Sequence, residues 1–90
     1  GIDLTAFAGM TVHAAAPGRV LFAGTEPGRF GQLIVIDHGG GWATAYAYLG
    51  KVSVREGQQV ARGADIARIG SSGEATRPTL HFELRKDNVP

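Results

Sequence analysis

The clearest pattern in the chain is an alternation near its end. Leu80, Phe82 and Leu84 are apolar, while Thr79, His81, Glu83 and Arg85 are polar. A period of two marks a half-buried β-strand. Successive side chains of a strand point to opposite faces, so Thr79 and His81 share one face, roughly 7 Å apart along the strand. Upstream, 14 glycines and 4 prolines punctuate short apolar runs, and no stretch sustains a helical period. The pattern predicts an all-β domain.

Gly1 to Leu4 reads as an extended opening segment and Thr11 to His13 as a short strand. Pro17-Gly18 reads as a turn, followed by a strand from Arg19 to Ala23 closed by Gly24. Thr25 to Gly31 is expected to be a polar loop with Pro27-Gly28 at its tip. Gln32 to His38 is the most apolar run and the expected central strand. Gly39-Gly40-Gly41 can supply the positive φ angles of a tight hairpin. In its partner, Trp42 to Leu49, alternation puts Ala43, Ala45 and Ala47 on one face. Trp42, Thr44, Tyr46 and Tyr48 fall on the other, an expected aromatic face with hydroxyl tips. Between Val54 and Ile69 apolar residues recur at every third position among glycines, which fits short strands and tight turns around a compact core. Ser71 to Pro78 is expected to be a loop, and Lys86 to Pro90 a polar tail that leaves the domain.

Composition narrows the functional classes. Ninety residues make one domain with a modest core. A net charge of +1, with the arginines dispersed, gives no nucleic-acid footprint. No apolar run approaches the ~20 residues that cross a bilayer as a helix. Cysteine is absent, which removes disulfides, thiolate catalysis and thiolate-held zinc. The abrupt start at Gly1-Ile2-Asp3, without a signal peptide, reads as that of an excised domain.

Six segments carry a family resemblance: Gly1-Ile2-Asp3-Leu4, Val12 to Val20 (VHAAAPGRV), the strand ending in His38-Gly39, Thr44-x-Tyr46-Ala47-Tyr48-Leu49, the Val54–Ile69 phrase and Leu80 to Arg85. In this order and spacing the chain resembles LytM-type domains, the lysostaphin-like zinc endopeptidases of bacterial cell-wall metabolism. The resemblance implies a small lysostaphin-like all-β fold, a β-sheet/barrel-sandwich hybrid with a shallow groove. It would fill residues 1–90, with the family's N-terminal edge lying before Gly1.

By that resemblance Asp3 and His81 stand at two zinc-ligand positions, and the third falls before Gly1. The family's two catalytic histidines correspond to Tyr48 and Thr79. A zinc hydrolase needs three protein ligands, an open fourth position and a group of near-neutral pKa to move protons. A phenol, with a reference pKa near ~10, is a poor base at neutral pH, though it can donate a hydrogen bond to an oxyanion. A threonine hydroxyl has no accessible ionisation. Hydrolysis is therefore not expected, and no catalytic residue, metal ligand or cofactor is assigned.

Each candidate also has a plainer role. His81 reads as a strand histidine satisfied by a neighbouring hydroxyl or carboxylate, because a metal site requires several convergent ligands. Asp3 can cap a turn or pair with an arginine, and the tyrosines can be cross-strand packing. Glu74 and Arg77 read as solvent-facing or as groove rim, and Glu83–Arg85 as an exposed ion pair of little weight. His38, before the triple glycine, suits a hydrogen-bonding or turn role, and His13 carries no expected chemistry.

The resemblance implies a degenerate LytM factor of the periplasm or cell envelope, similar to EnvC and NlpD. Such factors activate periplasmic amidases that cut septal peptidoglycan in cell division. The groove, assigned to Asp3, Tyr46, Tyr48, Arg77, Thr79 and His81, would then receive an amidase or other cell-wall hydrolase, with peptidoglycan a further candidate partner. The alternatives are a zinc peptidoglycan endopeptidase whose missing ligand lies upstream, and a peptidoglycan-binding module. The Val54–Ile69 phrase also resembles biotinyl and lipoyl carriers, but neither Lys51 nor Lys86 sits in a suitable turn.

Overall fold

The computed structural model describes residues 1–89, in which there are eight strands and no helix. They are β1 (Ile2–Thr5), β2 (Thr11–His13), β3 (Gly18–Glu26), β4 (Gly31–Gly39), β5 (Trp42–Val52), β6 (Gln59–Val60), β7 (Asp65–Ile69) and β8 (Thr79–Lys86). All pairings are antiparallel and join the strands in one sheet, ordered β1-β8-β5-β4-β3-β6, with β7 linking β5 to β2. β5 is the hub. One of its edges pairs with β4, while the other pairs with β8 from Trp42 to Ala47 and with β7 from Leu49 to Val52.

The handover from β8 to β7 coincides with a bulge. Ile34 pairs with Tyr46 and Gln32 with Leu49, so Leu33 alone faces the two residues Ala47 and Tyr48. An extra residue of this kind leaves the ladder and re-aims its side chain. Tyr48 has a φ of 64°, a left-handed conformation that is costly for a bulky residue and persists only where its surroundings enforce it. The expected alternation therefore breaks at this point. Tyr46 and Leu49 enter the main core with Val12, Val20, Ile34, Ile36, Ile66 and Ile69. Tyr48 turns to the opposite face and packs with Leu33, Ala45 and Ala47.

The remaining differences from the sequence pattern are local. Strand β3 continues through Gly24 to Glu26, because Gly24 still pairs with Leu33 across the sheet. The β4–β5 hairpin turns on three glycines whose φ angles are 88°, 62° and 84°, a run that residues with a Cβ adopt only under strain. After β8 the chain turns back through Asp87 and Asn88, and Val89 bridges to Lys86. The described part of the tail thus folds onto the domain, and Pro90 lies outside the described residues.

Candidate functional site

The site is built where β1 meets β8. Asp3 lies opposite His81 and Thr5 opposite Thr79, so alternation sends all four side chains to one face. Asp3 Oδ1 sits 2.5 Å from His81 Nδ1, and Glu83 Oε2 sits 2.8 Å from His81 Nε2. Arg85 Nε donates to the other oxygen of Glu83 at 2.7 Å. Two carboxylates can only accept when ionised, so this chain is complete when both ring nitrogens carry hydrogen. Burial works against the ionised carboxylate of Glu83. The hydrogen bonds from His81 and Arg85, and their charge, outweigh it and hold the Glu83 pKa below its ordinary value. His81 is itself 6% exposed, stacked on Phe30 at a centroid distance of 5.6 Å and in tilted contact with Tyr48 at 5.4 Å.

The Glu83–Arg85 pair is therefore not the exposed ion pair expected from the sequence. The Glu83 side chain is only 6% exposed and that of Arg85 20%, because the face they share is covered rather than turned to water. Alternation did place Glu83 two residues after His81 on the same face. Phe30 carried no local signal, since its stacking on His81 depends on how the loop before β4 returns to β8.

Above His81 opens a cleft of about 250 Å3 lined by Asp3, Thr5, Tyr48, Glu74, Ala75, Thr76, Arg77 and Thr79. Four of the proposed groove residues, Asp3, Tyr48, Arg77 and Thr79, line it, and His81 lies beneath, bonded to Asp3. Glu74 lines the cleft as well and pairs loosely with Arg29 at 3.9 Å. Tyr46 is a correction. It is 1% exposed in the main core, because the bulge after it re-aims Tyr48 alone. Its hydroxyl accepts from the Ala15 N–H at 3.0 Å and bonds Thr44 Oγ1 at 2.7 Å. Thr44 in turn bonds His38 Nε2, and His38 Nδ1 donates to the Pro17 carbonyl. His38 thus takes the hydrogen-bonding role that its position before the hairpin suggested.

The outer wall of the cleft is pinned by close backbone contact. Gly31 and Gly73, both at positive φ, pack so tightly that a Cβ on either would collide with the other's loop backbone. Ser72 Oγ accepts from the Gln32 N–H and donates to the Leu49 carbonyl, and the Glu74 N–H donates to the Arg29 carbonyl. The Thr79 hydroxyl donates to the Arg77 carbonyl at 2.9 Å, so it closes the turn into β8 beside the cleft.

Zinc can be tested against these residues. Two ligand atoms on a tetrahedral zinc, each at ~2.0–2.1 Å, stand about 3.3 Å apart. Asp3 Oδ1 and His81 Nδ1 are 2.5 Å apart and bond each other directly. Among the described residues no group of three or more His, Cys, Asp or Glu side chains converges to hold a metal. The donor set as it stands does not fit the ion.

The all-β fold defines a lysostaphin-like domain. The description of peptidase family M23 matches residues 1–90. The chain belongs to that family as a LytM-type domain similar to NlpD. It is 41% identical over 85 residues to "Murein hydrolase activator NlpD" of Escherichia coli K12, covering 94% of this chain and 22% of that protein. It is 38% identical over 85 residues to "Cell division protein DipM" of Caulobacter vibrioides, covering 94% of this chain and 14% of that one. The catalytic domain of the antimicrobial peptidase lysostaphin from Staphylococcus simulans superimposes with a TM-score of 0.92 at 31% identity, covering 97% of this chain and 66% of that one. The chain thus spans less than a quarter of these two curated relatives.

Proposed function

We propose that this domain is a non-catalytic LytM factor of the bacterial cell envelope that activates peptidoglycan hydrolases, amidases in particular, at cell division. One observation carries the reading: among the described residues no histidine lines the cleft. By the family resemblance Tyr48 and Thr79 correspond to the two catalytic histidines, and both nitrogens of His81 are tied to carboxylates. The names of NlpD and DipM, an activator and a division protein, support the same reading and an envelope location.

The cleft suits docking better than turnover. At about 250 Å3 it falls below the ~300–1,000 Å3 of most small-molecule sites, so it accepts one or two protruding side chains rather than a whole muropeptide. Its lining offers the Arg77 guanidinium, threonine hydroxyls and the Tyr48 ring on a wall pinned by Gly31 and Gly73. A preformed receptacle of this kind spends little ordering entropy when a loop of the hydrolase enters. Mixing the domain with periplasmic amidases and following dye release from labelled peptidoglycan tests the reading. Stimulation is expected, with Arg77→Glu weakening it while the thermal midpoint stays put. Absence of both stimulation and binding for every amidase would remove its support.

A second reading, a zinc endopeptidase completed by a ligand upstream, draws on one observation. Glu83 on His81 Nε2 occupies the place that a carboxylate usually takes behind a metal-ligating histidine. Stoichiometric zinc together with cleavage of cross-linked muropeptides would favour it over the activator.

A further inference from the structure

The two ligand positions that survive in this chain are joined to each other, and the join has a mechanical consequence. β1 lies at the end of the sheet order and, among the described residues, pairs with β8 alone. Two of its apolar side chains, Ile2 and Leu4, are 56% and 47% exposed, so burial holds this edge strand weakly. In a zinc site, an ion held by Asp3 and His81 would tie β1 to β8. We propose that Asp3, His81, Glu83 and Arg85 form a metal-free clasp that does this work in its place and thereby fixes the β1 wall of the cleft.

The geometry supports each part. The Asp3–His81 bond crosses directly from β1 to β8 at a paired position. The far side of the imidazole is braced by Glu83, which Arg85 holds from its other oxygen. The ring is buried and packed against Phe30 and Tyr48, so turning from Asp3 toward an ion would require these neighbours to repack. Asp3 and Thr5 both line the cleft, so the position of β1 sets one side of the docking face. Glu83 is a positioning residue here, since it acts on Asp3 only through His81.

The consequence for docking rests on the activator reading, but the clasp is tested without any hydrolase, so the two can fail separately. Hydrogen exchange of the β1 amides and the thermal midpoint are measured on the protein as purified, after treatment with a chelator, and with added zinc. The clasp predicts that neither treatment changes either quantity. Asp3→Ala should speed exchange in β1 roughly three- to tenfold, with β4 and the rest of β5 unchanged, because one partly exposed charge-assisted bond is lost. Asp3→Asn keeps an acceptor for the ring N–H and should restore part of the protection. Glu83→Gln should speed β1 exchange without touching β1 itself. A fall in midpoint on chelation, a rise with zinc, or β1 exchange unaltered in Asp3→Ala would each overturn the proposal.

Discussion

Two histidines of this domain have both ring nitrogens engaged, and they belong to chains of opposite character. His38 joins the Pro17 carbonyl to Thr44, Tyr46 and the Ala15 N–H. A carbonyl can only accept, so Nδ1 carries the hydrogen, and each later link can donate one bond and accept one. That chain is neutral and ends on backbone at both sides. His81 joins Asp3 to Glu83 and Arg85. Every link there is ionisable, and one end opens to water at Asp3, whose side chain is 57% exposed. Neutral chains with every donor matched cost little to bury. Ionised ones carry a desolvation penalty that the alternation of charge must offset. The first arrangement is a lock within the core, and the second is a charged chain that reaches the cleft at Asp3.

The comparison can be broken most sharply at the charged chain. His81→Ala removes the bridge between Asp3 and Glu83 and the packing of its ring on Phe30 and Tyr48. Because Arg85 still pairs with Glu83, a loss near the lower end for broken buried pairs is expected, about 3 kcal/mol, read from urea unfolding. Tyr46→Phe breaks the neutral chain and leaves the Ala15 N–H without its acceptor, for about 1–2 kcal/mol in the same assay. A larger loss from Tyr46→Phe than from His81→Ala would reverse the ranking of the two chains.

The two chains should also differ in acid. The Glu83 pKa is lowered on folding from its ordinary carboxylate value of about 4.5. Its ionised form therefore adds stability that is present above pH 4.5 and is lost as pH falls below that value through the folded pKa. Unfolding curves measured between pH 7 and pH 3 should show this acid limb, and Glu83→Gln should flatten it. At the small end, Glu74→Gln removes an ion pair of 3.9 Å whose side chains are 60% and 65% exposed. Its effect should stay within about 0.5 kcal/mol; a larger one would mean that burial is not what separates the charged pairs.

Much of the fold was legible because it is written locally. The alternation from Thr79 to Arg85 places Asp3's partner on the right face, and the triple glycine fixes the hairpin that makes β4 and β5 neighbours. Where reading failed, the cause was non-local. Nothing in Trp42 to Leu49 announces that Tyr48 leaves the face of Tyr46, because the bulge arises from the register against Leu33 on another strand. In the same way Glu83 and Arg85 look like surface residues until their face is seen to be covered. The cleft residues Thr5 and Thr76 gave no pattern of their own, as hydroxyls in turns and edges are common.

The central claim, that this LytM-type domain docks and does not cut, is tested most directly by incubating the purified protein alone with cross-linked muropeptides and supplied zinc. The account predicts no product above the buffer control. Cleavage that a chelator abolishes and zinc restores would contradict it.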